Sequence, residues 1–181
     1  MKIGLISDTH VPESFKEVPV EVIPAFVGVD LILHAGDLHA IRVLDWLEQI
    51  APVIACRGNG DNGGGGRPYQ PEDPRMKETQ VIEVDGFKIG LLHDLPLPEM
   101  PPYRTMEGIM HRNFGGPVDI IVCGDTHVAN VEVYKDILIV NPGSPTLPNN
   151  LMPQLGTVGI LEIGDGRAEA RIVSLAPGDP D

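Results

Sequence analysis

The chain has 181 residues, 42% of them hydrophobic, with 13 basic and 26 acidic side chains and a formal charge of −13. This length suits one domain over residues 1–181, and the apolar fraction is enough for a sizeable core. The acidic balance argues against non-specific binding to nucleic acid or to an anionic membrane, since both need Lys and Arg. It is typical of a solvated acidic surface, and carboxylates that hold cations would also produce it.

The two cysteines, Cys56 and Cys123, fall inside predicted buried strands and lack the spacing of a disulfide framework or a structural zinc site. We interpret them as small core residues of a protein in a reducing compartment. No apolar run approaches the roughly 20 residues that cross a bilayer, and Asp8 interrupts the first run before it could act as a signal peptide. These features predict a cytoplasmic protein.

The first third of the chain alternates predicted strands and helices. Strands are predicted at Lys2–Ser7, Asp30–Leu33 and Pro52–Cys56, and helices at Val20–Val27 and Ala40–Gln49. The second helix follows from apolar residues at 41, 43, 44 and 47, which have a helical period. The β-α-β-α-β order predicts a parallel sheet with right-handed crossovers. Residues 58–74 are rich in Gly and Pro, which predicts a long exposed loop between the halves of the fold.

The second half of the chain reads mainly as hairpins. Predicted pairs are Thr79–Val84 with Phe87–Leu92, Val131–Tyr134 with Ile137–Val140, and Thr157–Ile163 with Ala168–Ser174. Between them we expect a loop at Leu95–Pro102, a helix at Arg104–Arg112 and a buried strand at Val118–Cys123, and residues 176–181 are expected to fray. Asp85-Gly86 joins two apolar runs, which is a strong hairpin signal. The elements together predict two mixed sheets packed face to face with helices outside.

Five polar clusters follow apolar runs, each where a predicted strand ends. They are Ser7-Asp8-Thr9-His10, His34-Ala35-Gly36-Asp37, Gly58-Asn59-Gly60-Asp61, His93-Asp94 and Gly124-Asp125-Thr126-His127. In open α/β sheets, ligands bind at this edge. In an extended segment residues i and i+2 point the same way, so Asp8 and His10 are expected to face one point.

Seven of these side chains are candidate metal ligands, comprising three carboxylates, one amide and three imidazoles. They are Asp8, His10, Asp37, Asn59, His93, Asp125 and His127. The mixture suits a first-row divalent metal better than Ca²⁺, which prefers oxygen alone. Seven ligands suit two ions about 3.5–4 Å apart that share a carboxylate, and Asp37 is the natural bridge. Asp and Asn at strand ends also form caps and turns, but those roles need no histidines.

These ordered motifs resemble the metallophosphoesterase (calcineurin-like phosphoesterase) superfamily, in its small bacterial and archaeal phosphodiesterase branch. The likeness covers residues 1 to about 145 and ends at Asn141-Pro142-Gly143-Ser144. It implies a four-layer α/β/β/α sandwich and in-line hydrolysis of phosphodiesters by a hydroxide that bridges two divalent metals.

The resemblance also implies a division of labour among the ligands. Asp8, His10 and His127 would hold one metal, and Asn59, His93 and Asp125 would hold the other. Asp37 would bridge them, so that Asp37, Asn59 and His93 are expected at the catalytic centre. Asp61 would orient a ligand or hold its loop. The expected cofactor is two Mn²⁺ ions, with Mg²⁺, Fe, Ni²⁺ and Zn²⁺ as alternatives.

The chain departs from the usual pattern of this superfamily at two positions. Asp125 stands where a histidine is usual. If Asp125 is a metal ligand, it would favour hard ions such as Mn²⁺ or Mg²⁺ over Zn²⁺. The alternative is that Asp125 does not bind the metal and instead holds a metal ligand in position. Gly60 stands where many members carry a histidine that acts on the leaving group. Its absence predicts a preference for good leaving groups such as aryl phosphodiesters.

Other polar residues have less definite expectations. His34 is expected in the core or in support of a ligand, with a ligand role as the alternative. His39 is expected at the substrate or on the surface, and His111 on an exposed helix face. The candidate phosphate contacts are Arg57, Arg67 and Arg104.

The resemblance implies a small phosphoester as substrate. We expect no membrane partner, and binding to nucleic acid is not expected either. Self-association is left open. The rival interpretation is a protein-interaction scaffold of the same fold with weak or absent catalysis. A metal-dependent nuclease shares the chemistry but fits the acidic surface poorly.

Overall fold

The computed structural model describes residues 1–96 and 105–177. Its strands are β1 (Lys2–Ile6), β2 (Leu31–His34), β3 (Val53–Cys56), β4 (Met76–Lys77), β5 (Gln80–Val84), β6 (Phe87–Leu91), β7 (Ile120–Val122), β8 (Asn130–Tyr134), β9 (Ile137–Asn141), β10 (Thr157–Gly164) and β11 (Arg167–Ser174). Its helices are α1 (Val22–Ala25), α2 (Arg42–Leu47) and α3 (Met106–Phe114). Within these ranges, none of the helices has the length and apolar character needed to cross a membrane.

The first sheet has the strand order β11-β10-β1-β2-β3-β4. Strands β1 to β4 are parallel, and β10 adds to β1 in the antiparallel sense. The β-α-β-α-β prediction is therefore confirmed, although both helices are shorter than predicted. Strand β4 was not predicted, because its two residues directly follow a Gly- and Pro-rich segment that gives no strand signal.

The second sheet has the order β5-β6-β7-β9-β8. The β5–β6 and β8–β9 hairpins are antiparallel, as predicted, and the third predicted hairpin is β10–β11 in the first sheet. Strands β6, β7 and β9 run parallel, so this sheet is also mixed.

Alternation along β1 explains how the layers pack. Ile3 and Leu5 join an apolar cluster that contains Leu91 and Val122 of the second sheet, so the two sheets lie face to face. Ile6 faces the opposite way, into a cluster with residues of α1 and α2. The glycine at position 4 lies on that outer face, where an added Cβ would stand 3.1 Å from the Phe26 ring.

Helix α3 covers the outer face of the second sheet. Met106 and Met110 pack there against Ile121, and Ile109 is also buried. The described layers are thus α/β/β/α, which confirms the expected sandwich. The Thr105 hydroxyl caps α3 by accepting the Gly108 N–H at 3.1 Å. The predicted helix start at Arg104, the loop residues 97–102 and the tail residues 178–181 lie outside the described residues.

Candidate metal centre

The five polar clusters meet at one edge of the sandwich, where β1, β2, β3, β6 and β7 end. Main-chain hydrogen bonds join the first two clusters, since the Asp8 N–H donates to Gly36 O at 2.9 Å and the His10 N–H donates to Asp37 O at 3.1 Å. The parallel strands of each sheet place their carboxyl ends side by side, and face-to-face packing of the sheets brings the two sets together.

Three Asp-x-His segments share an unusual backbone conformation. Their φ values are positive at Asp8 (54°), His10 (46°), Asp37 (55°), His39 (65°), Asp125 (69°) and His127 (59°). Positive φ is uncommon outside glycine and clusters at functional sites, where the surrounding structure holds the strain. The prediction that Asp8 and His10 lie in extended backbone is therefore wrong. They still approach one point, because the left-handed conformation recurs at alternate residues.

Buried ligand atoms without partners surround a point beside His10. Asp8 Oδ1 lies 3.4 Å from His127 Nε2 and 3.9 Å from His10 Nε2. The other oxygen of Asp8 is occupied, since it accepts hydrogen bonds from the Ser7 hydroxyl and from the Asp125 N–H. Among the described residues, neither Asp8 Oδ1 nor His10 Nε2 has a hydrogen-bond partner. Such atoms are costly to bury, and a cation at this point would satisfy both.

The carboxylate of Asp37 stands between two groups of imidazoles. Its Oδ2 lies 3.4 Å from His10 Nε2, whereas its Oδ1 lies 3.5 Å from His93 Nε2. Oδ1 also accepts the Gly60 N–H at 2.8 Å, which fixes the rotation of the carboxylate. Each oxygen thus faces a different side of the centre.

The second group forms around His93 Nε2. This atom lies 3.2 Å from Asn59 Oδ1, 3.5 Å from Asp37 Oδ1 and 3.6 Å from Asp125 Oδ1. The Asp125 side chain is 45% exposed and that of His93 only 5%, so the Asp125 carboxylate forms the open wall of this group. The structure therefore brings all seven candidate ligands to one centre.

Backbone carbonyls orient two of the imidazoles. His93 Nδ1 lies 2.7 Å from Ala35 O, and His127 Nδ1 lies 2.7 Å from Leu147 O. A carbonyl only accepts, so each Nδ1 carries the proton and donates it. In that neutral tautomer each Nε2 presents its lone pair toward the centre, as a metal ligand requires.

The local electrostatics favour positive charge at this centre. Burial would lower the pKa of His10, but the carboxylates of Asp37 and Asp8 raise this pKa to about 9. Burial would raise the pKa of Asp37, but His10 and His39 hold it well below its usual range. Nitrogen- and oxygen-donor groups lie within 4.8 Å of one another in three overlapping sets: Asp8 with His10 and His127, His10 with Asp37 and His39, and Asp8 with Asp37 and His93. This donor set fits first-row divalent metals.

Asp61 joins the loops that carry these ligands. Its carboxylate accepts hydrogen bonds from the N–H groups of Leu38 (3.3 Å), His39 (2.9 Å) and Gly58 (2.9 Å). The side chain is fully buried, and burial raises the pKa of Asp61. It therefore fixes the loop after β2 against the loop after β3, consistent with the expectation that it holds its loop.

The Asn141-Pro142-Gly143-Ser144 turn supports the centre from the second sheet. The Ser144 hydroxyl donates to Asp8 O at 2.7 Å, and the Asn141 amide donates to Gly124 O at 2.8 Å. This turn links the segment at Asp8 to the segment at Asp125.

The remaining histidines occupy three different environments. His34 is fully buried, with Nδ1 accepting the Gly36 N–H and Nε2 lying 3.2 Å from the Thr9 hydroxyl, which agrees with a core position. His111 is exposed, as expected. His39 is only 5% exposed, so the expected surface position is wrong. The sequence contains a signal for this, because Asp37-Leu38-His39 repeats the Asp-x-His spacing of the other two segments.

Two of the three candidate phosphate-binding arginines, Arg57 and Arg67, lie within the described residues. Arg57 is buried and donates to Gln70 O at 2.9 Å and Pro71 O at 3.0 Å, so it holds the glycine-rich loop in place. Arg67 donates from one terminal nitrogen to Gly64 O, whereas its Nε lies 3.7 Å from the carboxylate of Glu13 and has no hydrogen-bond partner among the described residues, so Arg67 stays a candidate phosphate contact. Arg57 as a phosphate contact is therefore wrong, since its donors are occupied by the loop. Arg104 lies outside the described residues.

A cleft of about 530 Å³ opens beside the His93 group. Asn59, His93 and Asp125 line it, together with the acidic side chains of Glu78 and Asp94. Among the described residues that line it, Arg57 is the only arginine or lysine, and its guanidinium is occupied. The cleft is thus an acidic entrance to the metal-ligand cluster.

Comparison with known proteins identifies the family. Residues 1–166 match the model of the calcineurin-like phosphoesterase superfamily domain. The chain belongs to this superfamily. A probable metallophosphoesterase of Methanothermobacter thermautotrophicus is 36% identical over 173 residues, which cover 96% of this chain and 92% of that protein. Membership of this superfamily supports a metal-binding phosphoester hydrolase.

Solved structures share the fold of this superfamily member. Vps29 of Entamoeba histolytica complexed with Zn²⁺ superposes with a TM-score of 0.68 at 24% identity, covering 97% of this chain and 100% of that one. An archaeal phosphodiesterase superposes with a TM-score of 0.64 at 21% identity, covering 96% and 100%. At these identities the likeness establishes the two-sheet fold alone.

Proposed function

We propose that this chain hydrolyses phosphodiesters at a centre of two divalent cations. The proposal rests on the placement of Asp37. Its Oδ2 lies 3.4 Å from His10 Nε2, and its Oδ1 lies 3.5 Å from His93 Nε2, so the two oxygens face separate groups of imidazoles. A carboxylate in this position can be shared by two cations.

The proposed ligands divide between two sides of Asp37. Asp8, His10 and His127 belong to the His10 side, and Asn59, His93 and Asp125 belong to the His93 side. We propose Mn²⁺ as the cation, because three carboxylates and an amide oxygen add hard donors to the imidazoles. Mg²⁺, Fe, Ni²⁺ and Zn²⁺ are the alternatives that metal analysis must separate.

The bound cations would supply a nucleophile from water at neutral pH and neutralise charge on the phosphoryl oxygens. The protein's own contribution is to hold the donors ready before a cation binds. Asp61 fixes both loops through three N–H groups. Backbone carbonyls keep the Nε2 lone pairs of His93 and His127 directed at the centre. This preorganisation lowers the cost of ordering the site when substrate and metal bind.

The charge of the cleft supports diesters over monoesters. A phosphomonoester is close to a dianion at neutral pH, whereas a diester carries a single negative charge. Glu78, Asp94 and Asp125 line the cleft without a free cationic side chain among its described residues, and they would repel the dianion more. The preference for aryl leaving groups stays a proposal, based on the absence of a side chain at Gly60.

Hydrolysis of bis(p-nitrophenyl) phosphate and p-nitrophenyl phosphate tests this function. We expect release of nitrophenol from the diester with Mn²⁺, little from the monoester, and none after EDTA treatment. His111→Gln, at an exposed helix position, is the matched control and should retain wild-type rates. Faster hydrolysis of the monoester would contradict the substrate preference, and no hydrolysis of either with any of the five metals would contradict the enzyme.

The second candidate is a protein-interaction scaffold, because the fold also resembles that of Vps29, and the same assay separates the two functions. A chain that binds two cations and hydrolyses neither ester would favour the scaffold. We further propose one domain over the whole chain and a cytoplasmic location, the latter because Cys56 and Cys123 are buried free thiols.

A further inference from the structure

We propose that His39 is an additional metal ligand on the His10 side, held in position by Glu13. The inference rests on the proposed metal centre and goes beyond its seven expected ligands. It would give the His10 side a third imidazole beside His10 and His127.

The position of the His39 ring carries this inference. The side chain is fully buried, and its Nε2 lies 3.6 Å from Asp37 Oδ2, the same oxygen that faces His10. The rings of His39 and His10 lie with their centroids 4.1 Å apart. Nε2 of His39 has no hydrogen-bond partner among the described residues. It is therefore a third buried ligand atom without a partner, besides Asp8 Oδ1 and His10 Nε2, and it lies within 4.8 Å of the ligand atoms of His10 and Asp37.

Glu13 accounts for the orientation of the ring. His39 Nδ1 lies 3.0 Å from Glu13 Oε2, and an ionised carboxylate only accepts hydrogen bonds. In the neutral tautomer that donates to Glu13 the proton sits on Nδ1, and Nε2 offers its lone pair to a cation. A carboxylate behind the distal nitrogen is the usual support of a metal-bound histidine, and it makes the imidazole a stronger donor.

Gly60 leaves the space that His39 occupies. A Cβ atom at position 60 would overlap His39 Nε2. A side chain at position 60 and an inward His39 therefore exclude each other. The glycine that removes one candidate histidine from the site admits another. Full burial of the His39 side chain behind Asp37 directs it at the cation rather than at a substrate in the cleft.

Binding of Co²⁺ to the whole chain tests this assignment. We expect His39→Gln to weaken the tighter Co²⁺ site by about 10- to 100-fold, and Glu13→Gln to weaken it by about 10-fold, as supporting groups of metal ligands do. Gly60→Ala should act like His39→Gln, because its methyl group displaces the ring. His111→Gln is the control and should bind as the wild type does. Titration calorimetry measures each affinity.

Counting bound histidines makes the test independent of affinity and of folding of the variants. In the wild type with ¹⁵N-labelled histidine, we expect Co²⁺ to shift four of the six ring systems directly, those of His10, His39, His93 and His127. A count of three that includes no signal from His39, or unchanged affinity in His39→Gln, would overturn the inference and leave the proposed function intact. Absence of Co²⁺ binding by the wild type would overturn the metal centre itself.

Discussion

The two sides of Asp37 differ in burial and in donor chemistry. The His10 side is closed, with Asp8 and His127 buried and with orphaned atoms directed at one point. The His93 side opens to the acidic cleft, and two of its donors, Asn59 and Asp125, are exposed oxygens. A closed, imidazole-rich pocket suits tight retention of a cation, whereas an open, oxygen-rich one leaves room for substrate. The His10 side therefore retains a cation, and the His93 side admits substrate.

Asp37→Asn should break both sides at once and have the largest effect. The change keeps the size of the side chain but removes the charge that both cations would share. We expect hydrolysis to fall by about 10³-fold or more and bound metal to drop from two ions to at most one. Elemental analysis and the diesterase assay measure these quantities. Asp136→Asn, in the exposed turn between β8 and β9, serves as the control. Two tightly held ions in Asp37→Asn would rule out its bridging role.

Asp61→Ala should loosen the loops behind the His10 side. It leaves three buried N–H groups without their acceptor, and each unsatisfied group costs about 1–3 kcal/mol before the loops relax. We expect the free energy of unfolding to fall by about 3 kcal/mol in urea denaturation with EDTA present. Asp165→Asn, at an exposed turn, should change it little. A loss below about 0.5 kcal/mol would show that other contacts hold the loops.

Stability below neutral pH should depend on His34, a fully buried residue that contacts the Thr9 hydroxyl and the Gly36 N–H next to the metal-ligand segments. Burial lowers the pKa of His34 to about 3, against 6.5 in the unfolded chain. The unfolded state therefore binds the proton first, and this residue's contribution to stability is lost as the pH falls from about 6.5 toward 3, by up to about 1.4 kcal/mol per pH unit. His34→Asn keeps an acceptor for the Gly36 N–H but does not titrate. Unfolding free energies measured from pH 7 to pH 5 should fall more steeply in the wild type; parallel curves would refute the assignment.

Asp125→His should make the two sides more alike and have the smallest effect. It replaces an exposed oxygen donor on the open side by an imidazole. We expect Zn²⁺ affinity relative to Mn²⁺ to rise by about 10-fold, because imidazole suits Zn²⁺ better than carboxylate does. Competition titrations with both metals measure the ratio. An unchanged ratio would show that Asp125 is not a metal ligand and instead holds a ligand in position.

Much of the fold could be predicted from the sequence. Strands such as β1 and β2 are buried on both faces and read as continuous apolar runs, and Asp85-Gly86 marks its hairpin plainly. The five clusters could be placed because the ends of parallel strands meet. Strand β4 could not be predicted, since its two residues form through pairing with β3 and not through local preference.

The parts of the site that escaped prediction depend on tertiary contacts. Positive φ at Asp8 and Asp37 is imposed by main-chain hydrogen bonds between their segments, which no local pattern reveals. The inward position of His39 depends on Glu13 and on the absence of a side chain at Gly60. Arg57 resembled a phosphate contact because of its place beside a cluster, yet the folded loop takes up its donors.

Anomalous scattering from crystals grown with Mn²⁺ would show whether Asp37 lies between two cations. We expect two peaks about 3.5–4 Å apart, one on each side of the Asp37 carboxylate, with the peak on the His10 side retained longer during washing with chelator. One peak, or two peaks that do not share Asp37, would contradict this expectation.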